Sequence, residues 1–332
     1  MDPRGGIDLG GTKIQAVVVD DRNSVLGSER RPTPTDGGPG DVAEAIDETM
    51  RAAAAAAGVD AAALAGVGVG SPGEVDAGAG VVAQARNLPG WEGSYPLAEA
   101  LGRSLGVPVR LGNDVQVATN AEAELGAGRE HSSLLGVFWG TGVGGGIVLD
   151  GRPWLGRGIA GELGHVVVRI GGRRCPCGRR GCLEAYAGRG SMEARARKLV
   201  GEGRRTQLFE LMEKHHRTRL TSGIWARALD RDDELARELV SEAVEALGAG
   251  IASAINLLDV EAVIVGGGLG VRLGEPYRER IEAAMLPHLF GDDAPPAVRL
   301  AELGDLGGAI GSALLVLADD VGAPAAAPGG GS

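Results

Sequence analysis

Short apolar runs of strand length alternate along the chain with longer stretches of helical period, and glycine punctuates most of the junctions. Ile14 to Val19 predicts a strand directly after the turn Gly10-Gly11, so the first two strands form a hairpin. Asp41 to Ala57 reads as an Ala-rich helix with Asp41 as its N-cap. Gly66 to Gly70 and Val107 to Leu111 read as two further strands, and Val115 to Leu125 as a helix starting straight after Asn113-Asp114.

A second unit of the same kind begins near His131. Leu134 to Trp139 predicts a buried strand, the run Gly140-Thr141-Gly142-Val143-Gly144-Gly145-Gly146 follows, and Ile147 to Leu149 resumes as a strand. Strand, glycine-rich turn and strand thus occur near residue 8 and again near residue 140, which implies a duplicated unit and a cleft between related halves. Ala185 to Leu258 is mostly helical, with Asp233 to Leu258 the longest periodic stretch. Glu261 to Val265 is a short strand running into Gly266-Gly267-Gly268, and Leu306 to Ala318 is a last helix with Asp305 as its cap. The alternation gives an α/β fold class.

Composition sharpens this picture. Of 332 residues, 44% are hydrophobic, 3% are aromatic and 58 are glycine, so a core is affordable but must rest on Ala, Val and Leu; disorder of the body is excluded. The segment 321–332 is low-complexity and expected to be a disordered tail. Forty-four acidic against 33 basic residues leave a formal charge of −11, which argues against nucleic acid as a partner, because that binding needs phosphates neutralised. Met1 to Gly6 carries no signal-length apolar run, and Gly58 and Asp60 interrupt the Ala-rich stretch up to Val69. The expectation is a cytoplasmic protein without a membrane partner.

Candidate chemistry sits on the glycines. In Asp8-Leu9-Gly10-Gly11-Thr12-Lys13, backbone N–H groups can converge on phosphate oxygens, Thr12 and Lys13 add a hydroxyl and a charge, and Asp8 could hold Mg²⁺ through water. A hairpin alone would also favour Gly-Gly. The run from Gly140, with Thr141 and Gly142, repeats the phosphate-cradle pattern. Gly267 and Gly268 follow a strand at the end where α/β folds bind ligands, although an ordinary strand-to-helix turn has the same form. Asp114 is either a helix cap or a general base.

Cys175, Cys177 and Cys182 crowd into eight positions, too close for a disulfide framework. With His165 they form a Cys₃His set, with Gly178 and Gly181 supplying a knuckle, which matches a closed tetrahedral Zn²⁺ site of structural type. Buried free thiols are the alternative. Glu162 and Glu184 flank the set, and carboxylates held that way suit hydrogen bonds to sugar hydroxyls.

Taken in order, DLGGTK, ND, GTGVGGG, VGGGLG and the small-residue run from Gly307 to Ala313 resemble the sugar kinases of the actin-like ATPase (ribonuclease H-like) fold, over essentially the whole chain. Gly161-Glu162-Leu163-Gly164-His165 followed by Cys175-Pro176-Cys177-Gly178-Arg179-Arg180-Gly181-Cys182-Leu183-Glu184 resembles, more narrowly, the ROK family (repressors, open reading frames and kinases). The resemblance implies two similar domains around a cleft: 1–114 completed by a C-terminal helix 305–320, and 115–304 with the zinc knuckle. It implies Asp114 as general base on a sugar hydroxyl and Asn113, Glu162, His165 and Glu184 as sugar ligands. Asn87, in Asn87-Leu88-Pro89-Gly90-Trp91, and the loop Ser71-Pro72-Gly73 would lie beside the sugar. Gly10, Gly11, Thr12, Lys13, Thr141 and Gly142 would hold ATP phosphates, and Gly267 and Gly268 would face the nucleotide. One departure is that Ala121-Glu122 stands where the family often has Gly-Glu.

The resemblance further implies an ATP-dependent glucokinase, acting on the 6-hydroxyl, in a homodimer or homotetramer. An N-acetylglucosamine or N-acetylmannosamine kinase is the alternative, and polyphosphate as donor stays open. A sugar-responsive repressor would need a helix-turn-helix ahead of the body, whereas seven residues precede Asp8; a sugar-binding protein without catalysis would not need Asp114 and the phosphate glycines.

Overall fold

The computed structural model describes residues 2–291 and 293–317; the expected tail and the end of the last expected helix lie outside them. Two compact units divide the chain. The first comprises 2–121, 156–159 and 303–317, and the second 122–155 and 160–302.

In the first unit, β1 (Arg4–Leu9), β2 (Lys13–Val19), β3 (Val25–Pro32), β4 (Val67–Ser71) and β8 (Val109–Asn113) form one sheet in the order β3-β2-β1-β4-β8. β1 and β2 make the expected hairpin, while β1, β4 and β8 run parallel. A small sheet of β5 (Glu74–Asp76), β6 (Val81–Ala83) and β7 (Ser94–Tyr95) is inserted between β4 and β8. In the second unit, β9 (Leu134–Trp139), β10 (Val143–Leu149), β11 (Arg152–Pro153), β12 (Ala262–Gly266) and β13 (Ala297–Leu300) are ordered β11-β10-β9-β12-β13. The pairing sense repeats strand for strand, with an antiparallel hairpin followed by parallel neighbours. The fold is that of the actin-like ATPases.

The helix Gly307–Leu314 explains why β1 and β4 carry glycines. A Cβ on Gly6 would lie 2.0 Å from the Ala309 carbonyl oxygen and one on Gly68 only 1.7 Å from that of Ser312, so the helix backbone rests directly on the sheet. This helix is shorter than Leu306 to Ala318. Gly304–Leu306 forms a 3₁₀ turn ahead of it, and Asp305, expected as a cap, instead pairs with Arg30 at 3.1 Å. At the helix Pro39–Ala56 the cap is Gly38, with Pro39 at the first position, where its missing N–H costs nothing. Asp41 reaches back to accept from the Gly38 N–H at 2.8 Å.

Three of the four tryptophans fill the cores. Trp91 is fully buried in the first unit, and Trp139 and Trp225 in the second, each within a core otherwise built of Ala, Val, Leu and Ile. The long helix Glu234–Leu258, capped by Asp233 accepting from the Ala236 N–H at 2.8 Å, supplies much of the second core.

Candidate functional site

The first unit gathers its candidates at the C-terminal ends of β1, β4 and β8. Asp8 is the penultimate residue of β1 and lies beside Gly308, whose Cβ would sit 2.9 Å from the carboxyl carbon. Burial raises its pKa above the ordinary carboxylate value, against the pull of Lys13 and Arg30. The turn closes with Gly10 N–H donating to the Lys13 carbonyl at 2.9 Å, and the Thr33 hydroxyl donates to the Gly10 carbonyl at 2.6 Å. Asn87 lies on this turn: a Cβ on Gly11 would be 2.8 Å from its carbonyl oxygen. Its loop is anchored by Trp91, which donates from Nε1 to the Val82 carbonyl at 3.1 Å and meets Tyr95 edge-on.

Ser71 is buried and stands opposite Asn113 in the parallel register of β4 and β8. Gly73 has φ +90°, a conformation that favours glycine. The cap of the helix Asp114–Leu125 is Asn113, whose Oδ1 accepts from the N–H groups of Val115 and Gln116 at 3.1 Å each. Asp114 is the first helical residue, next to the cap, and accepts from the Val115 N–H at 2.9 Å.

In the second unit the knuckle closes as the residue types demand. The Cys175 N–H donates to the Arg179 carbonyl at 2.8 Å, Gly178 turns the chain at φ +90°, and a Cβ on Gly181 would collide with the Arg169 carbonyl oxygen at 1.9 Å. The ligand atoms of His165, Cys175, Cys177 and Cys182 all lie within 4.8 Å of one another. Cys177 Sγ and Cys182 Sγ are 3.8 Å apart, and Cys175 Sγ is 3.9 Å from His165 Nδ1. A tetrahedron with Zn–S bonds of about 2.3 Å has sulfur edges of about 3.8 Å, so the set fits Zn²⁺. Without a metal, burial pushes the Cys175 thiol up to about 12.

His165 presents its other nitrogen, Nε2, to Glu162 at 3.8 Å. Glu184 turns toward the cluster and the glycine turn together: Oε1 is 4.0 Å from Cys175 Sγ, and Oε2 accepts from the Val143 N–H at 3.0 Å.

The glycine-rich run divides into two parts. β10 begins at Val143, earlier than Ile147, so Gly144, Gly145 and Gly146 pair with β9. A Cβ on Gly145 would meet the Gly161 carbonyl oxygen at 2.5 Å, which makes close packing of the Gly161-Glu162-Leu163 segment the reason for that glycine. Gly140 to Gly142 remain as the turn. Gly140 faces the Gly268 nitrogen, with a gap of 4.0 Å from a built Cβ. Gly267, at φ +79°, starts the helix Gly267–Leu273.

Arg189 escapes sequence reasoning. Its guanidinium donates to Thr141 Oγ1 at 2.8 Å and to Ser222 Oγ at 2.9 Å, joining the turn to a cavity of about 340 Å³ lined by Ser222, Gly268, His215, Arg217, Arg227 and Arg272, among others. The one available signal is the basic run Lys214-His215-His216-Arg217 through Arg219, unusual in a chain of charge −11.

Comparison with known proteins fits this arrangement. The ROK family matches over residues 4–319. The chain belongs to the ROK family. It is 35% identical over 294 residues to a glucokinase of Thermotoga maritima, covering 86% of this chain and 89% of that protein. It is 33% identical to an N-acetyl-D-glucosamine kinase of Pectobacterium atrosepticum, over 95% of this chain and 99% of the relative. The crystal structure of a ROK family glucokinase from Streptomyces griseus, in complex with glucose and AMPPNP, superposes with a TM-score of 0.80 at 31% identity, over 94% of this chain and 98% of that one. Among the described residues, no helix is long and apolar enough to cross a membrane.

Proposed function

We propose that the protein is an ATP-dependent glucokinase that transfers the γ-phosphoryl group to the 6-hydroxyl of glucose. The observation that carries this reading is the contact of Glu184 with the Gly142-Val143 turn, through the Val143 N–H at 3.0 Å. A candidate sugar ligand and a candidate phosphate turn are thereby held in one rigid piece, as transfer between the two substrates requires. Likeness to two proteins named glucokinase supports the choice of sugar.

Asp114 accepts the proton of the attacking hydroxyl, while Asn113, Glu162, His165 and Glu184 bind and orient the sugar with Asn87, Ser71 and Gly73 beside it. Gly10, Gly11, Thr12, Lys13, Thr141 and Gly142 hold the ATP phosphates, and Gly267 and Gly268 meet the nucleotide. Mg²⁺ carried with the ATP and held near Asp8 would neutralise phosphate charge. Zn²⁺ on His165, Cys175, Cys177 and Cys182 would be structural, since the protein fills all four positions, and would leave His165 Nε2 and Glu162 for the sugar. The reading places the enzyme in the cytoplasm as a homodimer or homotetramer.

A second reading, an N-acetylhexosamine kinase, is supported by the 33% identity to an N-acetyl-D-glucosamine kinase. A panel of hexoses and N-acetylhexosamines assayed with ATP, with the product's phosphate position read by NMR, tests both. No turnover of any of these sugars would overturn both readings.

A further inference from the structure

The helix Glu184–Ala187 has four residues, too few to be held by its own hydrogen bonds. Both its ends are tied to one rung of the hairpin β9–β10, where Trp139 and Val143 stand opposite each other. At the first end the Val143 N–H donates to Glu184 Oε2 at 3.0 Å; at the last, Trp139 Nε1 donates to the Ala187 carbonyl at 2.6 Å. The chain then follows the turn, with the Arg189 and Gly190 N–H groups donating to the carbonyls of Gly140 and Thr141 at 3.2 and 3.0 Å. Packing is close on both sides of this grip: a Cβ on Gly188 would lie 2.9 Å from Glu184 Cγ, and one on Gly267 2.6 Å from the Trp139 carbonyl oxygen. Trp139 and Ala187 are fully buried, so bulk water cannot take the place of the indole N–H on that carbonyl.

Filling the core does not call for this donor. Trp225, as fully buried in the same core, has no hydrogen-bond partner for its Nε1 among the described residues. An indole stands off its strand as a rigid plate, and its one N–H fixes where the acceptor lies. We propose that Trp139 is a positioning residue: its N–H ties the C-terminal end of the helix Glu184–Ala187, and thereby the place of the Glu184 carboxylate, to the strand that leads into the turn Gly140 to Gly142. On the kinase reading above, on which this rests, Glu184 binds the sugar, so Trp139 acts on sugar affinity through that carboxylate and touches neither substrate. Val143 holds the oxygen and Trp139 holds the helix that carries it; the two bonds together leave the carboxylate one place.

The test measures glucose binding by calorimetry and steady-state kinetics with ATP in the full chain, for the parent, Trp139→Phe, Trp225→Phe, Glu184→Gln and the double variant Trp139→Phe with Glu184→Gln. Trp139→Phe should raise the Kd and KM for glucose about tenfold or more, since a displacement near 1 Å can cost on the order of 10² in rate, while zinc content stays at the parent's value. Trp225→Phe, which removes no hydrogen bond, should change both by less than about twofold. In the Glu184→Gln background Trp139→Phe should add less than about twofold, because residues that act through one group are not additive. Should Trp139→Phe fail to fold, benzothienylalanine at position 139 keeps the size of the ring, carries sulfur in place of the N–H, and must give the same rise. A rise no larger than that of Trp225→Phe, or a full rise that persists without the Glu184 carboxylate, makes Trp139 core filling only; the inference then fails and the kinase reading stands. A parent that neither phosphorylates nor binds any hexose overturns the kinase reading and the inference with it.

Discussion

Glu184 and Gly142 share one space. A Cβ on Gly142 would lie 2.2 Å from Glu184 Oε2, so the carboxylate keeps its place on the Val143 N–H only because residue 142 has no side chain. Gly142→Ala should therefore displace Glu184 and raise the KM for sugar by about 10-fold or more, since a shift near 1 Å can cost on the order of 10² in rate. Zinc content should be unaffected. An unchanged sugar KM in steady-state kinetics would show that Glu184 does not meet the sugar.

Asp114 stands beside a cap that Asn113 already provides, and its own Oδ1 accepts from the Val115 N–H at 2.9 Å. Asp114→Asn should lower kcat by roughly 10² to 10⁴ with little change in sugar binding, because the lost group acts in the transition state. Calorimetry of glucose binding beside kcat measurements separates this from a folding defect.

Removal of the metal should be felt in stability and sugar affinity together. Cys177→Ser should abolish the roughly one zinc per chain expected by elemental analysis. At about 4 kcal/mol for loss of a structural metal, the melting temperature falls by roughly 8–16 °C, and ATP affinity in the remaining folded protein stays near that of the parent. A parent preparation without zinc would remove the basis for this expectation.

Glucose should exceed N-acetylglucosamine in kcat/KM by at least about 10², because an acetamido group clashes in, or strands a polar group of, a pocket shaped for a hydroxyl. Equal values, or the reverse order, would move the protein to the N-acetylhexosamine reading.

Asp8 links function to a stability cost. Its folded-state pKa is raised by burial, so above that pKa the ionised form destabilises the fold, and below the ordinary value of 3.8 the cost is gone. In metal-free buffer, Asp8→Asn should stabilise the protein at pH 7, and the gain should shrink as pH falls through the folded-state pKa. Chemical denaturation at a series of pH values measures it; a gain independent of pH would contradict the burial argument.

The repeated strand–turn–strand unit and the Cys₃His set are legible in the chain because residue types carry them, whereas the strand order is not: a strand needs its apolar run, and a zinc site needs its ligands. Partners distant in sequence were not legible. Gly142 and Gly145 look alike in the run, yet one makes room for Glu184, 42 residues further along the chain, and the other for Gly161. Asp41 and Asp305 were read as caps because Asp favours that position, but Gly38 with Pro39 and the pairing of Asp305 with Arg30 prevailed. Arg189 stands in no motif, and only the fold brings it to Thr141 and Ser222.

The seating of the helix Gly307–Leu314 on Gly6 and Gly68 bears on how the protein is made. The first unit needs a piece that the ribosome delivers long after the rest of it: from residue 121 to residue 317 lie 196 residues of chain, about 10–40 s of synthesis at roughly 5–20 residues per second. Throughout that interval a sheet face cut to fit a helix backbone stands bare on the nascent chain. A circular permutant that begins with 303–317 and continues into residue 2 would supply the helix first, and its yield from translation without chaperones should exceed that of the natural order.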